Sequence, residues 1–397
     1  MSEFPDSASS PPSTVPVPPK RGTALRHRLA ELRGPVPAKA MDARSLAALA
    51  VNPGCGRRAL LDGAGVDKGA VAERLGAPAV SGQSQFAIVR GHAFEARVKR
   101  DGGAELLRLA HERLDPSAPA PGPDTARVPP LSAAGGQEAR VARTALALRE
   151  AAAAQGVWTL LDHPMLSLDV AGTPAFLEPD AVVVHPDGRW SVVEIKSFPM
   201  IDGSAEPAKV GAAARQAAVY VLALERVAAR LDPAPEVDHR ALLVCPKDFS
   251  NLPAAAPVDL RKQLSVTRRQ LARLTRVEEI AAVLPEGATF DAEQSPGSLG
   301  AAVEAVPAAY APECLSACEL AFHCRARARE QGAVTAIGRS VRGELGGLTT
   351  VDAVLAAAAG QAGDPADPTV AALRRAAALR DEALGALPGP ARRGVLC

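Results

Sequence analysis

Aromatic residues are scarce in this 397-residue sequence, at 3%, which argues against an extended platform on which nucleic-acid bases would stack. No uninterrupted apolar run approaches the ~18 residues that span a bilayer, so no membrane partner is expected. The opening stretch MSEFPDSASS carries acids where a secretory signal has a basic segment, and no apolar segment follows. That makes a cytoplasmic location the expectation. Net charge is nearly absent too: 45 Lys and Arg against 44 Asp and Glu leave +1. Only a locally basic groove could then hold nucleic acid. Neither a GxxxxGK[ST] phosphate loop nor a repeat at a solenoid period occurs, so the chain carries no recognisable motor of its own.

What is there begins with length, enough for one large domain or two ordinary ones to bury a core. Ala, Gly, Pro and Arg are abundant, a bias that fits a GC-rich coding genome as well as any structural demand. Six cysteines in a reducing compartment read as metal ligands or redox groups where they cluster, not as disulfides. Residues 1–22, rich in Pro and Ser, read as a disordered tail. Helical patterns follow over Thr23–Leu32 and Asp42–Val51, the second broken at Asn52-Pro53-Gly54 just before Cys55. A charged helix is expected from Gly91 toward Leu114. The segment 115–136 holds six prolines and reads as an exposed insertion.

A helix over Glu138–Ala154 precedes Val-rich runs at Val157–Leu161, Ala175–His185 and Trp190–Lys196, expected as strands. The last two are joined by Pro186-Asp187-Gly188-Arg189, whose Asp-Gly step favours a tight hairpin. A helix over Pro207–Leu231, a strand over Arg240–Cys245 and a long helix over Leu260–Val283 complete an α/β core. Ala-rich helices are expected over 332–397.

The chemistry gathers on that hairpin. Strand side chains alternate, so Glu194 and Lys196 share a face, and Asp180 of the Glu178-Pro179-Asp180 step is expected alongside on the antiparallel partner. Two carboxylates suit a hard divalent ion such as Mg²⁺, and the ammonium can offset charge on a phosphodiester under attack. Glu-x-Lys by itself occurs on any solvated strand face. Here it stands between Gly91-His92-Ala93-Phe94-Glu95 at a helix start and Gln216-x3-Tyr220, whose spacing stacks an amide and a phenol on one helix face.

The order His, Asp, Glu-x-Lys, Gln-x3-Tyr resembles the RecB-type nucleases of the PD-(D/E)xK superfamily, over roughly Ser45–Arg329. The resemblance implies a restriction-endonuclease-like α/β core, a mixed central sheet flanked by helices, with extra N- and C-terminal helices, and one nuclease domain over 23–331. It implies metal binding by His92, Asp180, Glu194 and the carbonyl of Ile195, with Mg²⁺ or Mn²⁺. Catalysis falls to Lys196, and the rim of the site to Gln216 and Tyr220. A Glu ahead of the Pro-Asp step is a small departure.

Cys314-x3-Cys318-x5-Cys324 lies far from Cys55, yet one early and three late cysteines resemble the iron-sulfur members of this family, such as CRISPR-associated adaptation nucleases and the AddB nuclease subunit. Thiolates suit an iron-sulfur cluster, expected as 4Fe-4S, or zinc, and spacing does not separate the two. Three intervening residues, where these relatives have two, are a one-residue departure, and His323 is an alternative ligand. Cys245 reads as a buried small hydrophobe and Cys397 as a free thiol. Arg261, Lys262, Arg268, Arg269, Arg273 and Arg276 stud one expected helix with few opposing acids, and Arg325, Arg327 and Arg329 follow the last cluster cysteine. Such residues neutralise phosphates without reading bases. The family resemblance implies DNA as the partner, single-stranded or bearing an end, with a helicase or defence complex on another chain. The alternative is a non-catalytic DNA-binding or scaffold subunit with a structural metal.

Overall fold

The computed structural model describes residues 21–52, 54–78, 85–170, 173–248, 250–273 and 277–385. Of the tail expected over 1–22, residues 1–20 lie outside these, as does Cys397. Helices α1 (Arg21–Arg33), α2 (Ala43–Val51), α3 (Gly56–Ala64), α4 (Lys68–Arg74), α5 (Gln85–Val98) and α6 (Arg100–Leu114) come first. Then follow β1 (Ala126–Arg127), α7 (Gly136–Ala153), β2 (Trp158–Asp162), β3 (Leu166–Val170), β4 (Thr173–Leu177), β5 (Ala181–Val184) and β6 (Trp190–Ile195). After these come α8 (Pro207–Ala228), β7 (Arg240–Pro246), β8 (Pro253–Asp259), α9 (Arg261–Arg273), α10 (Val277–Ala282), α11 (Pro296–Glu304) and α12 (Ala321–Glu330). Three more helices, α13 (Arg339–Glu344), α14 (Val351–Ala358) and α15 (Pro368–Gly385), end the described chain. None of the described helices is long and apolar enough to cross a membrane.

The protein is a mixed α/β fold. Its sheet runs β1-β2-β5-β6-β7-β8, parallel at β1-β2 and β6-β7 and antiparallel elsewhere, while β3 and β4 form a separate antiparallel pair. Alternation divides each central strand between two cores. Val182, Val184, Trp190 and Val192 face the layer that contains α2 and α8. Ala181, Val183, Val193 and Ile195 face Phe94, Val98, Leu106 and Leu107 of α5 and α6. Glu194 shares parity with Trp190 and Val192, so it points toward α8.

Three expectations are corrected. The helix expected from Gly91 to Leu114 is divided, because Asp101, Gly102 and Gly103 adopt left-handed backbone conformations. Gly103 is needed there for a second reason, since a Cβ would stand 2.1 Å from Leu160 Cδ2. The single strand expected over Ala175–His185 is two, β4 and β5 in different sheets, separated by the Glu178-Pro179-Asp180 step. Asp180 therefore sits in a bend at the entrance of β5 and not within a strand. Third, β3 and β8 were not expected at all. β8 is Ala- and Pro-rich, and its place on the edge strand suits a proline that cannot donate to the ladder.

The hairpin of β5 and β6 is fastened at its turn by a buried polar network. His185 Nε2 lies 2.8 Å from Ser191 Oγ, and its Nδ1 lies 3.6 Å from Asp115 Oδ2. Arg189 binds both Asp115 and Asp238, so the start of the Pro-rich segment is tied to the sheet. Burial, aided by the nearby Arg189 charge, pushes the His185 pKa down to about 4. The unfolded chain therefore binds this proton below about 6.5 while the native one resists it, and stability falls as pH drops from about 6.5 to about 4. The gap is worth roughly 3 kcal/mol. Chemical denaturation across that range should show the loss, and His185→Phe should flatten it; an unchanged slope in the variant would assign the effect elsewhere.

Candidate active site and cysteine cavity

Asp180, Glu194, Lys196, Gln216 and Tyr220 form one connected cluster, where the end of β6 meets the first half of α8. The bend before β5 brings Asp180 across to β6, where its Oδ2 accepts the Ile195 amide N–H at 2.6 Å and lies 4.0 Å from Lys196 Nζ. Glu194 is 1% exposed. Among the described residues its Oε1 has no hydrogen-bond partner, and its Oε2 forms an ion pair with the Lys196 ammonium. Gln216 and Tyr220, one turn apart on α8, complete a relay. Lys196 donates to Gln216 Oε1 at 3.5 Å, Gln216 Nε2 donates to the Tyr220 hydroxyl at 2.9 Å, and that hydroxyl donates to the Glu178 carbonyl at 3.2 Å.

Burial dominates the electrostatics. It lifts the Glu194 pKa to about 7, with Asp180 and Glu95 adding to the rise and Lys196 opposing it. Asp180 is raised for the same first reason, against Lys196 and the Ile195 N–H. Burial works against the Lys196 charge, yet the two carboxylates hold its pKa above the ordinary lysine value. The Tyr220 phenol is raised by burial. A carboxylate sunk in an apolar layer with an unpartnered oxygen is costly unless a cation joins it.

His92, expected as a metal ligand, is exposed on α5 and makes no hydrogen bond or ion pair among the described residues. Three residues on, Glu95 is the acid whose charge reaches both Asp180 and Glu194. The sequence pattern assigns it no role. Hydrogen bonds from His163 and then Lys99, opposed by burial, draw its pKa down to about 2. No group of three or more His, Cys, Asp or Glu that could hold a metal ion is found among the described residues.

Cys55, Cys314, Cys318 and Cys324 line one small, almost wholly apolar cavity together with Ala48, Asn52 and Arg58. All four thiols are free of disulfides. Cys55 is the N-cap residue of α3 and makes no side-chain capping bond. A 3₁₀ turn over Pro312–Ser316 carries Cys314, and the Cys318 N–H binds the Cys314 carbonyl at 2.8 Å. Three intervening residues thus set Cys314 and Cys318 one helical turn apart, which accounts for the spacing. Burial pushes the Cys318 thiol up to about 12 and raises Cys324 despite Arg57. Polar groups nevertheless aim at the sulfurs: Asn52 Nδ2 is 3.2 Å from Cys314 Sγ and Arg57 Nη1 is 3.3 Å from Cys324 Sγ. Arg57 and Arg58 are about 5% exposed or less. Buried cations and donors directed at sulfur fit thiolates, and soft thiolates fit iron-sulfur or zinc. His323 is turned to Glu304 Oε1 at 2.8 Å and does not line the cavity. Cys245 is fully buried beside Met200, Ala213 and Leu243.

The basic residues of α9 are less free than their sequence suggested. Arg261 is paired with Asp259 and Arg268 with Glu225; Lys262 and Arg269 are exposed. The Arg273 side chain and all of Arg276 lie outside what is described. Arg327 pairs with Glu304 and Glu330.

Compared with known proteins, the chain matches no family model, no curated protein and no solved structure.

Proposed function

We propose that the chain is a metal-dependent DNA nuclease of the PD-(D/E)xK superfamily, of the RecB-type branch, on a restriction-endonuclease-like core. The observation that carries this reading is the meeting of Asp180, Glu194 and Lys196, with Gln216 and Tyr220 behind them, around a buried carboxylate that has an unpartnered oxygen. Asp180 and Glu194 would hold Mg²⁺ or Mn²⁺, with the Ile195 carbonyl and His92 as further ligands. When bound, the ion supplies Lewis acidity and a water acidic enough to attack near neutral pH.

The chain's own residues do the rest. The Ile195 N–H fixes the direction of the Asp180 carboxylate. Lys196 opposes the effect of burial on Glu194 and sets a positive charge where the phosphodiester gathers negative charge. Gln216 and Tyr220 anchor Lys196 to the Glu178 backbone, limiting the wander of a flexible side chain. Lys262 and Arg269, exposed on α9, would neutralise backbone phosphates without reading sequence.

The four cysteines would hold an iron-sulfur cluster, 4Fe-4S or, on the same donors, zinc. A helicase or defence complex on another chain would supply substrate. A scaffold subunit without catalysis is the second reading, favoured by the absence of a ready-formed metal group among the described residues. Full-length protein incubated with end-labelled single-stranded DNA decides between them: cleavage is expected in Mn²⁺ and none in EDTA. Intact DNA in both would end the catalytic reading. Because protonated Glu194 competes with the ion, Mn²⁺ affinity should also fall as pH drops below about 7.

A further inference from the structure

The backbone of Asp180 belongs to a second polar cluster that the reading above leaves unused. Lys99 follows directly on α5, and its ammonium lies 2.6 Å from Glu95 Oε1 and 2.7 Å from Asp162 Oδ1. The same ammonium is 2.7 Å from the Asp180 carbonyl oxygen and 3.0 Å from His163 Nε2. Three oxygens, with the His163 ring beside them, surround a group that has three N–H bonds to give. Such a cradle of oxygens and an imidazole is what a small cation takes, and an ammonium is the compact point charge among side chains.

The cradle is built tightly. His163 has φ of +45°, a left-handed conformation that a side-chain-bearing residue rarely adopts. It is held there from three directions. Its N–H binds the Asp180 carbonyl at 3.3 Å, its own carbonyl accepts from Arg140 at 3.2 Å, and its ring lies 3.0 Å from Glu95. Arg140 in turn pairs with Glu178, two residues before Asp180. An observed strained residue so closely constrained points to a functional demand on its surroundings.

We propose that Lys99 is a positioning residue whose ammonium fills a second cation position of the site, so that the pocket between Asp180 and Glu194 takes one divalent ion and not two. This rests on the nuclease reading. Lys99 fixes the bend from which the Asp180 carboxylate projects. It also offsets Glu95 and Asp162, whose charges would otherwise recruit a second ion beside the first. Asp162 ends β2 and His163 follows it, so two strand ends and one helix end meet on this single ammonium.

Counting Mn²⁺ bound per full-length chain by calorimetric titration above neutral pH tests this. Native protein should bind one ion. Lys99→Ala should bind two, because Glu95, Asp162 and His163 are then vacated. Its affinity at the first position should be weaker by roughly ten- to a hundredfold, as when a supporting residue behind a metal ligand is lost. The double variant Lys99→Ala, Glu95→Gln should return to one. Lys99→Arg, which keeps the charge, should fold and bind one ion, and it decides the matter if Lys99→Ala precipitates. Two ions in the native protein or in Lys99→Arg, or one ion at native affinity in Lys99→Ala, would overturn the proposal. A native chain that binds no ion and leaves DNA intact would instead remove the nuclease reading beneath it.

Discussion

Lys196→Ala is expected to slow Mn²⁺-dependent cleavage of single-stranded DNA by roughly 10³-fold, with the fold intact. The size follows from what the ammonium touches. Among the described residues it is the one ion-pair partner of the buried Glu194 carboxylate, and it lies 4.0 Å from Asp180. Without it, two acids in an apolar layer repel each other, the Glu194 pKa climbs above about 7, and a protonated Glu194 neither attracts an ion nor orients a water. The Gln216–Tyr220 relay also loses the group it anchors. Rates measured at saturating Mn²⁺ separate weak ion binding from lost transition-state stabilisation, since only the second survives saturation. Equal single-turnover rates in variant and native protein would sink the catalytic assignment.

Cys314→Ser carries the second large effect, and on stability. The cavity draws together Cys55 between α2 and α3, the 3₁₀ turn at 312–316 and α12. Asn52 and Arg57 reach its sulfurs, and Arg58 and Lys68 share the buried Asp62 beside it. On the proposed metal-holding cavity, losing one ligand releases the group and leaves Arg57 buried beside Glu304. A loss of roughly 3–5 kcal/mol is reasonable for a breached metal or buried-charge site. At about 2 °C per kcal/mol for a long chain, this lowers the melting temperature by on the order of 10 °C. Cys55→Ser should match it, Lys196→Ala should fall well short, and broad visible absorption should vanish in both cysteine variants if the group is iron-sulfur. Equal melting temperatures in all three variants would contradict the staple.

Much of the sheet was legible because the short Val-rich runs over 181–184 and 190–195 flank an Asp187-Gly188 turn step and so read as a hairpin. The pairing of Asp180 with Glu194 and Lys196 was legible for the same reason, although Asp180 reaches them from a bend. Lys99, Asp162 and His163 were not. Lys99 sits four residues after Glu95 in an ordinary helical ion-pair pattern, and His163 is a lone histidine in a short connection. Nothing in a one-dimensional pattern reports a left-handed φ or a strand end that carries them to one point. The basic face of α9 misled for a related reason: Asp259 and Glu225, which neutralise Arg261 and Arg268, come from neighbouring elements. The cysteine set was visible in spacing, whereas its polar escort of Asn52, Arg57 and Arg58 looked like an ordinary helix break followed by a helix start.

Helix α2 runs between the two centres. Its N-terminal residues Asp42 and Arg44 act on Tyr220 and Lys196, and just past its C-terminal end Asn52 binds Cys314 across 262 positions of sequence. Contacts so distant along the chain close late in folding, after nearly everything between them has found its place. A growing polypeptide therefore packs this helix against α8 and α9 first, and the Asn52 end is fastened only once the segment carrying Cys314 has been made. Shortened products ending before that point should keep the Asp180, Glu194 and Lys196 cluster but leave the cysteine cavity open on one side.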